Sequence, residues 1–208
     1  MVAFALHTFL TLFVVIDPIG IAPLFLGLAG RRPEAERASV ARRAVFVAAG
    51  ILGFFGMAGA WLLRQIGVSL DAFRVAGGLL LFRIAADMVF VQLERETKEE
   101  EQEARARADI TVFPLAIPLI AGPGALASVM ILTGEARSYP LGFVLLFAMS
   151  AIVLTLVYVA LRTSSLLARM LGQTGINVIT RVLGVLLAAL AVEYVGTGVR
   201  ELIHAGSK

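Results

Sequence analysis

The sequence predicts an all-α membrane protein with six transmembrane helices, built as a 3+3 inverted repeat in which helices one and four are broken. Three observations predict it. Of 208 residues, 59% are hydrophobic and 16% charged, whereas about a quarter of a soluble domain is charged. The apolar residues fall into runs of about 20 or more, the length that crosses a bilayer. Finally, two of these runs are interrupted by proline and glycine at positions half a chain apart. One break is Asp17-Pro18-Ile19-Gly20-Ile21-Ala22-Pro23 and the other is Ala121-Gly122-Pro123-Gly124-Ala125.

The first span runs from about Ala3 to Ala29. No basic residue precedes it, and it contains Asp17 and Pro18, which argues against a cleaved signal peptide. A polar loop from Gly30 to Arg43 carries Arg31, Arg32, Arg37, Arg42 and Arg43, with Pro33 suited to the first turn of a short helix. Span two, about Ala44 to Leu63, carries Gly50, Gly53, Gly56 and Gly59, small residues that let a neighbour or a second copy approach. Span three, about Ala72 to Leu93, follows the turn Gly67-Val68-Ser69. The segment from Glu94 to Asp109 is strongly charged, with Glu94/Lys98, Glu101/Arg105 and Glu103/Arg107 in the acid-first order that supports a helix. It is expected to be a solvated cytoplasmic linker. Span four, about Ile110 to Thr133, contains Pro114, Pro118 and Pro123. Span five is about Pro140 to Leu161, the basic stretch from Arg162 to Gly175 is expected as a loop, and span six is about Asn177 to Glu201. The chain forms one membrane domain: repeat one over residues 3–93, the linker over 94–109 and repeat two over 110–203.

Lys and Arg concentrate in loops one, three and five, which places those loops in the cytoplasm and both termini outside. Trp61 is expected as an interfacial anchor. The net charge of +3 sits mainly in these loops and does not point to nucleic acid. The absence of cysteine excludes thiol redox chemistry, disulfides and thiolate metal sites.

The halves match each other. The stretch from Ile19 to Gly30 aligns without gaps on Pro123 to Gly134, an offset of half the chain, and Arg74-Val75-Ala76-Gly77-Gly78-Leu79-Leu80 aligns on Arg181-Val182-Leu183-Gly184-Val185-Leu186-Leu187. Three spans per half insert the second half upside down, a plan in which broken helices meet near the membrane midplane.

A half-helix that starts inside the membrane presents free N–H groups and a positive dipole end, suited to a carboxylate. The substrate-binding candidates are therefore Asp17, Pro18, Gly20, Pro23, Pro118, Gly122, Pro123 and Gly124. Asp17 is the sharpest of them, because an intramembrane carboxylate is costly and marks function or pairing. It suits an ammonium group, a cation or a proton, and it equally suits a cap on the half-helix that begins at Pro18. Asp87 and Glu193 are further candidates for ion or proton coupling; Asp87 has Arg83 four residues away as an internal partner, and Glu193 has none at that spacing. Asn177, Thr180 and Arg181, like Ser69, Asp71 and Arg74, are expected as caps and interface anchors. His7 and His204 form no ligand cluster. No nucleotide-binding loop, zinc-protease motif or catalytic triad is present. No catalytic residue, metal site or cofactor is assigned, and the protein is not expected to be an enzyme.

Asp17-Pro18-Ile19-Gly20 with Ala22-Pro23-Leu24-Phe25, Arg74-Val75-Ala76-Gly77-Gly78, Pro114-Leu115-Ala116-Ile117-Pro118 followed by Ala121-Gly122-Pro123-Gly124, and Gly175-Ile176-Asn177-Val178-Ile179-Thr180-Arg181 resemble, in order and spacing, the MarC family of six-span bacterial inner-membrane proteins. Arg83 and Glu193 depart from its pattern, which suggests apolar and Gln-like residues there. The resemblance implies a transport-type fold related to amino-acid exporters of the LysE type. It also implies transport of neutral amino acids and a multi-pass location in the bacterial inner membrane. The expected partners are a small neutral amino acid, the lipid bilayer and a coupling proton or sodium ion, with oligomerisation open. The alternative reading is a cation or metal transporter using Asp17, Asp87 and Glu193 as oxygen ligands. A third is a membrane scaffold without a polar centre.

Overall fold

The computed structural model describes residues 1–30, 32–90 and 110–206, and these fold into helices with no strand. In chain order they are α1 (Val2–Ile16), α2 (Pro18–Ala29), α3 (Glu34–Gln65), α4 (Leu70–Phe90), α5 (Thr111–Ile120), α6 (Pro123–Ala136), α7 (Gly142–Arg162) and α8 (Ser164–Gly206). The charged segment expected as a linker lies outside the described residues. Large apolar side chains face outward, with Phe46, Phe54, Met57 and Val185 each more than half exposed. A soluble monomer rarely presents such a surface; lipid is the solvent that accepts it.

Val2–Ala29, α3, α7 and α8 are each long and apolar enough to cross a membrane, and α5 with α6 forms a further bent pair, at 55°. The segment expected as span three corresponds to α4. It has the length, 21 residues, but Asp71, Arg74, Arg83 and Asp87 make it too charged to count by composition.

Two helix boundaries differ from expectation. The helix expected from Ala44 begins ten residues earlier at Glu34, because Pro33 is its N-cap, Glu34 and Glu36 complement the first turn, and no breaker follows. The expected loop from Arg162 to Gly175 is largely helical: α8 starts at Ser164 and is interrupted only at Gly172, whose φ of 60° and ψ of 174° suit a residue without a side chain. Arg37 bridges the two corrected regions by donating to the hydroxyls of Ser164 and Ser165, at 3.1 and 3.0 Å.

The helices bury two cores. The larger joins α1, α2, α3, α5, α6 and α7 around Leu12, Phe25, Leu115, Leu132 and Leu146; the smaller joins α4 and α8 to α1 and α6 around Leu81, Ile131 and Leu187. Within the smaller core α4 and α8 run antiparallel at close range. A Cβ at Gly78 would lie 2.8 Å from the Ala191 carbonyl oxygen, and one at Gly184 would lie 2.9 Å from Cβ of Met88 and 3.2 Å from the Ala85 carbonyl oxygen. The glycine stripe of α3 divides: Gly56 and Gly59 pack on Val129 and Met130, whereas Gly50 and Gly53 face open space.

Gly78→Leu should therefore cost about 1–3 kcal/mol by overpacking against backbone, while Gly50→Ala should be neutral or stabilising by up to about 1 kcal/mol. Thermal unfolding in detergent checks this; equal melting of Gly78→Leu and wild type would contradict the close α4–α8 contact.

Candidate functional site

The first break forms where Asp17 adopts the left-handed conformation, with φ 47° and ψ 70°. Its N–H still closes α1 on the Phe13 carbonyl at 3.0 Å. Pro18, which has no donor to satisfy, takes the first position of α2. The Asp17 carboxylate turns back along the new helix, and its Oδ1 accepts the Gly20 N–H at 3.0 Å. Glycine suits position 20, because a Cβ there would push against that carboxylate and lie 3.1 Å from Oγ1 of Thr180. The capping role of Asp17 is thus real, and it occupies the start of α2. One turn on, Pro23 supplies no N–H to the Ile19 carbonyl, which loses its helical donor.

The second break is built differently. Phe113 and Ile117 are extended, at φ −123° and −131°, as residues before proline tend to be. Across them α5 winds in wide turns, with the Leu115 N–H on the Ile110 carbonyl at 3.4 Å and the Ala121 N–H on the Ala116 carbonyl at 2.8 Å. Gly122 is the extended N-cap of α6 and Pro123 again takes the first position. Gly122 has no side chain to cap with, so the first-turn N–H groups of Gly124 and Ala125 receive none. A Cβ at Gly122 would collide with the Pro118 carbonyl, and one at Gly124 would lie 2.9 Å from Ile84.

The two breaks line one cavity of about 580 Å³, a size typical of small-molecule sites. Of the residues singled out from the sequence, Asp17, Gly20, Pro23, Pro118, Gly122, Pro123 and Gly124 line it. Pro18 does not; it is buried where α2 starts. Ile84 and Met88 of α4 supply apolar wall, and Gln173, Asn177 and Thr180 of α8 supply polar wall. Asn177 and Thr180 were expected as caps and anchors. The signal for them is the spacing of 173, 177 and 180, which puts three polar side chains on one helical face. Asn177 accepts a hydrogen bond from the Gln173 amide at 3.3 Å. The Thr180 hydroxyl is buried beside Asp17 without a well-formed hydrogen bond.

The structure does not bring Asp87 or Glu193 to this cavity. Asp87 pairs with Arg83 at 3.3 Å on its own helix. Glu193 lies on an exposed face, where it accepts from the Thr197 hydroxyl at 3.3 Å and sits 3.6 Å from Arg200. It therefore has a partner four residues on, where the sequence suggested none, and Arg200 seven residues on. Among the described residues no group of three or more acidic, His or Cys side chains could hold a metal ion.

A second polar cluster lies at the far end of the helices. Glu135 of α6 accepts from Arg74 of α4 at 3.1 Å and sits 3.6 Å from His7 of α1; Arg74 also reaches Asp71 at 3.6 Å. Tyr194 of α8, buried, points to Thr11 beside this group. Thr180 and Tyr194 are about 21 Å apart along α8 at 1.5 Å per residue, so the cluster and the cavity occupy opposite ends of the helical layer.

The family model for MarC family integral membrane proteins matches residues 2–203. The chain is 37% identical over 198 residues to the UPF0056 membrane protein YhcE of Escherichia coli, covering 93% of this chain and 91% of the relative. It is 34% identical over 205 residues to the UPF0056 membrane protein YvbG of Bacillus subtilis, covering 97% of each. A UPF0056 membrane protein of Aquifex aeolicus is 38% identical over 197 residues, covering 94% of this chain and 92% of the relative. No solved structure matches. With nearly its whole length matched, this chain belongs to the MarC family of integral membrane proteins.

Proposed function

We propose that the protein is a secondary transporter of small neutral amino acids, of the alanine or glycine type, working by alternating access around the two breaks. One observation carries the reading: the cavity holds a carboxylate, Asp17, and an uncapped helix start at Gly124 and Ala125. A zwitterion presents the complementary pair of charges. Its ammonium would meet Asp17, with Thr180 and Asn177 beside it. Its carboxylate would meet the N–H groups of α6, where the helix dipole favours an anion. The α2 terminus is not available for that carboxylate, because Asp17 already caps it. Asp17 would also be the group that carries a coupling proton; sodium is the other candidate ion.

Six spans in an inverted repeat, with α4 as the third, fit this function. The pairing of α4 with α8 supports the plan. The shift that carries Arg74 onto Arg181 carries Gly78 onto Val185 and Ala191 onto Ile84. That is within one residue of the second close contact, Gly184 against Ala85. Contacts that exchange in this way are what a two-fold axis produces. Each repeat contributes helices to both cores, so α4 and α8 would move as one unit against the rest, rather than repeat against repeat. The cavity lies toward the end of the helices where α3 and α8 start, and would open to the cytoplasm of a bacterial inner membrane, with both termini outside. The Arg74–Glu135 pair would then close the outer side by tying α4 to α6. The cation-transport reading lacks a converged ligand set among the described residues, and a scaffold would have no need of a polar cavity.

Purified protein in liposomes should accumulate labelled alanine or glycine under a proton or sodium gradient; no uptake under either would remove the substrate assignment. Asp17→Asn should melt like wild type, since asparagine caps as well as aspartate, yet lose at least about tenfold in transport, the scale of one charge-assisted contact. Asp17→Ala should lose transport and about 0.5–2 kcal/mol of stability. Wild-type uptake by a folded Asp17→Asn would refute the ammonium role. Glu135→Gln should let an impermeant thiol reagent reach Thr11→Cys from outside several-fold faster; an unchanged rate would refute the outer closure.

A further inference from the structure

A groove of about 480 Å³ runs between α3 and α7 on the outside of the bundle, and it shares no residue with the cavity at the breaks. Its walls are apolar, built from residues such as Val45, Phe46, Leu52 and Phe147. The Ser150 and Thr155 hydroxyls in it already donate to the Leu146 and Ala151 carbonyls of their own helix, at 2.8 and 2.7 Å. They therefore make no demand on an occupant. Polar character is left at one end, where Arg42 and Tyr158 stand. Phe147 packs next to Gly56 at the other end, which fixes the direction of α7 relative to α3. Arg42 is exposed and makes no ion pair or hydrogen bond among the described residues. No acidic residue lines the groove.

We propose that this groove binds one anionic phospholipid, with its phosphate at Arg42 and Tyr158 and an acyl chain lying along α3 to Gly53. The dimensions suit one leaflet. Arg42 to Gly53 spans roughly 16 Å of helix at 1.5 Å per residue, about half of a hydrocarbon core of roughly 30 Å. Gly53 leaves the floor open, since a Cβ there would meet nothing within 4 Å. The basic end lies where α3 starts and α7 ends, the side the basic residues Arg32, Arg37, Arg43 and Arg162 assign to the cytoplasm, and basic pockets between helices on that side take anionic headgroups. A second copy of the chain packed here about a two-fold axis would face Arg42 with another basic groove and no acid to answer it. An arginine fits a phosphate in two-point geometry.

Native mass spectrometry of the full-length protein, titrated with phosphatidylglycerol or with phosphatidylcholine of the same chains, tests this. Wild type should retain one phosphatidylglycerol with about tenfold preference, the scale of one charge-assisted contact. Arg42→Gln should reduce the preference to less than about twofold on that scale, and Arg42→Lys should keep most of it. Gly53→Leu should weaken retention of both lipids while melting like wild type. Equal binding of the two lipids by wild type would overturn the proposal. So would an undiminished preference in folded Arg42→Gln, or a dimer that Gly53→Leu splits.

Discussion

A helix interrupted inside a bilayer must find partners for the backbone groups it frees, because lipid offers none. The two interruptions here meet that demand in different ways, and the character of the cavity follows from the difference. At the first, Asp17 supplies its own carboxylate to the start of α2. At the second, Gly122 supplies nothing, and the uncapped first turn of α6 lines the cavity. Both starts use proline at the first helical position, so local geometry is matched while the charge is not. The result is a cavity with an acid at one break and unanswered donors at the other.

The placement of the remaining charges sharpens this contrast. Asp71 and Glu135 share Arg74, Asp87 has Arg83, and Glu193 has Arg200. Asp17 has no cationic partner among the described residues and is 8% exposed. A carboxylate held in that position by a backbone cap would suit the ammonium of the proposed substrate. The two cores provide the frame. The breaks belong to helices of the larger core, whereas the Thr180 and Ile84 walls belong to the α4–α8 pair. The cavity is thus assembled at a seam between two packed units, joined at its far end by the Arg74–Glu135 pair.

Much of this was legible in the sequence, because proline, glycine and an intramembrane acid carry strong local constraints. Asp17, Pro18 and Gly122 to Gly124 act on the backbone wherever they occur, and their half-chain offset pointed to one shared site. Asn177 and Thr180 were harder to place, since a polar residue near a helix end looks the same whether it caps, anchors or lines a cavity. Only the packing of α8 against α2 decides it. The early starts of α3 and α8 were masked by polar residues, which obscure a span without breaking a helix. The wide turns of α5 depend on how two successive pre-proline residues are accommodated together, which composition does not reveal.

The native chain lacks cysteine, so a single introduced thiol reports on one position without background. The proposed transport requires that the two breaks enclose a water-filled cavity open at the end of the helices where α3 and α8 start. Asn177→Cys should react with a membrane-impermeant thiol reagent applied to that face and should be protected by a bound amino acid. Val178→Cys, one residue further on the exposed apolar face, should not react. If Asn177→Cys is as inert as Val178→Cys from both faces, the cavity is not aqueous and the account fails.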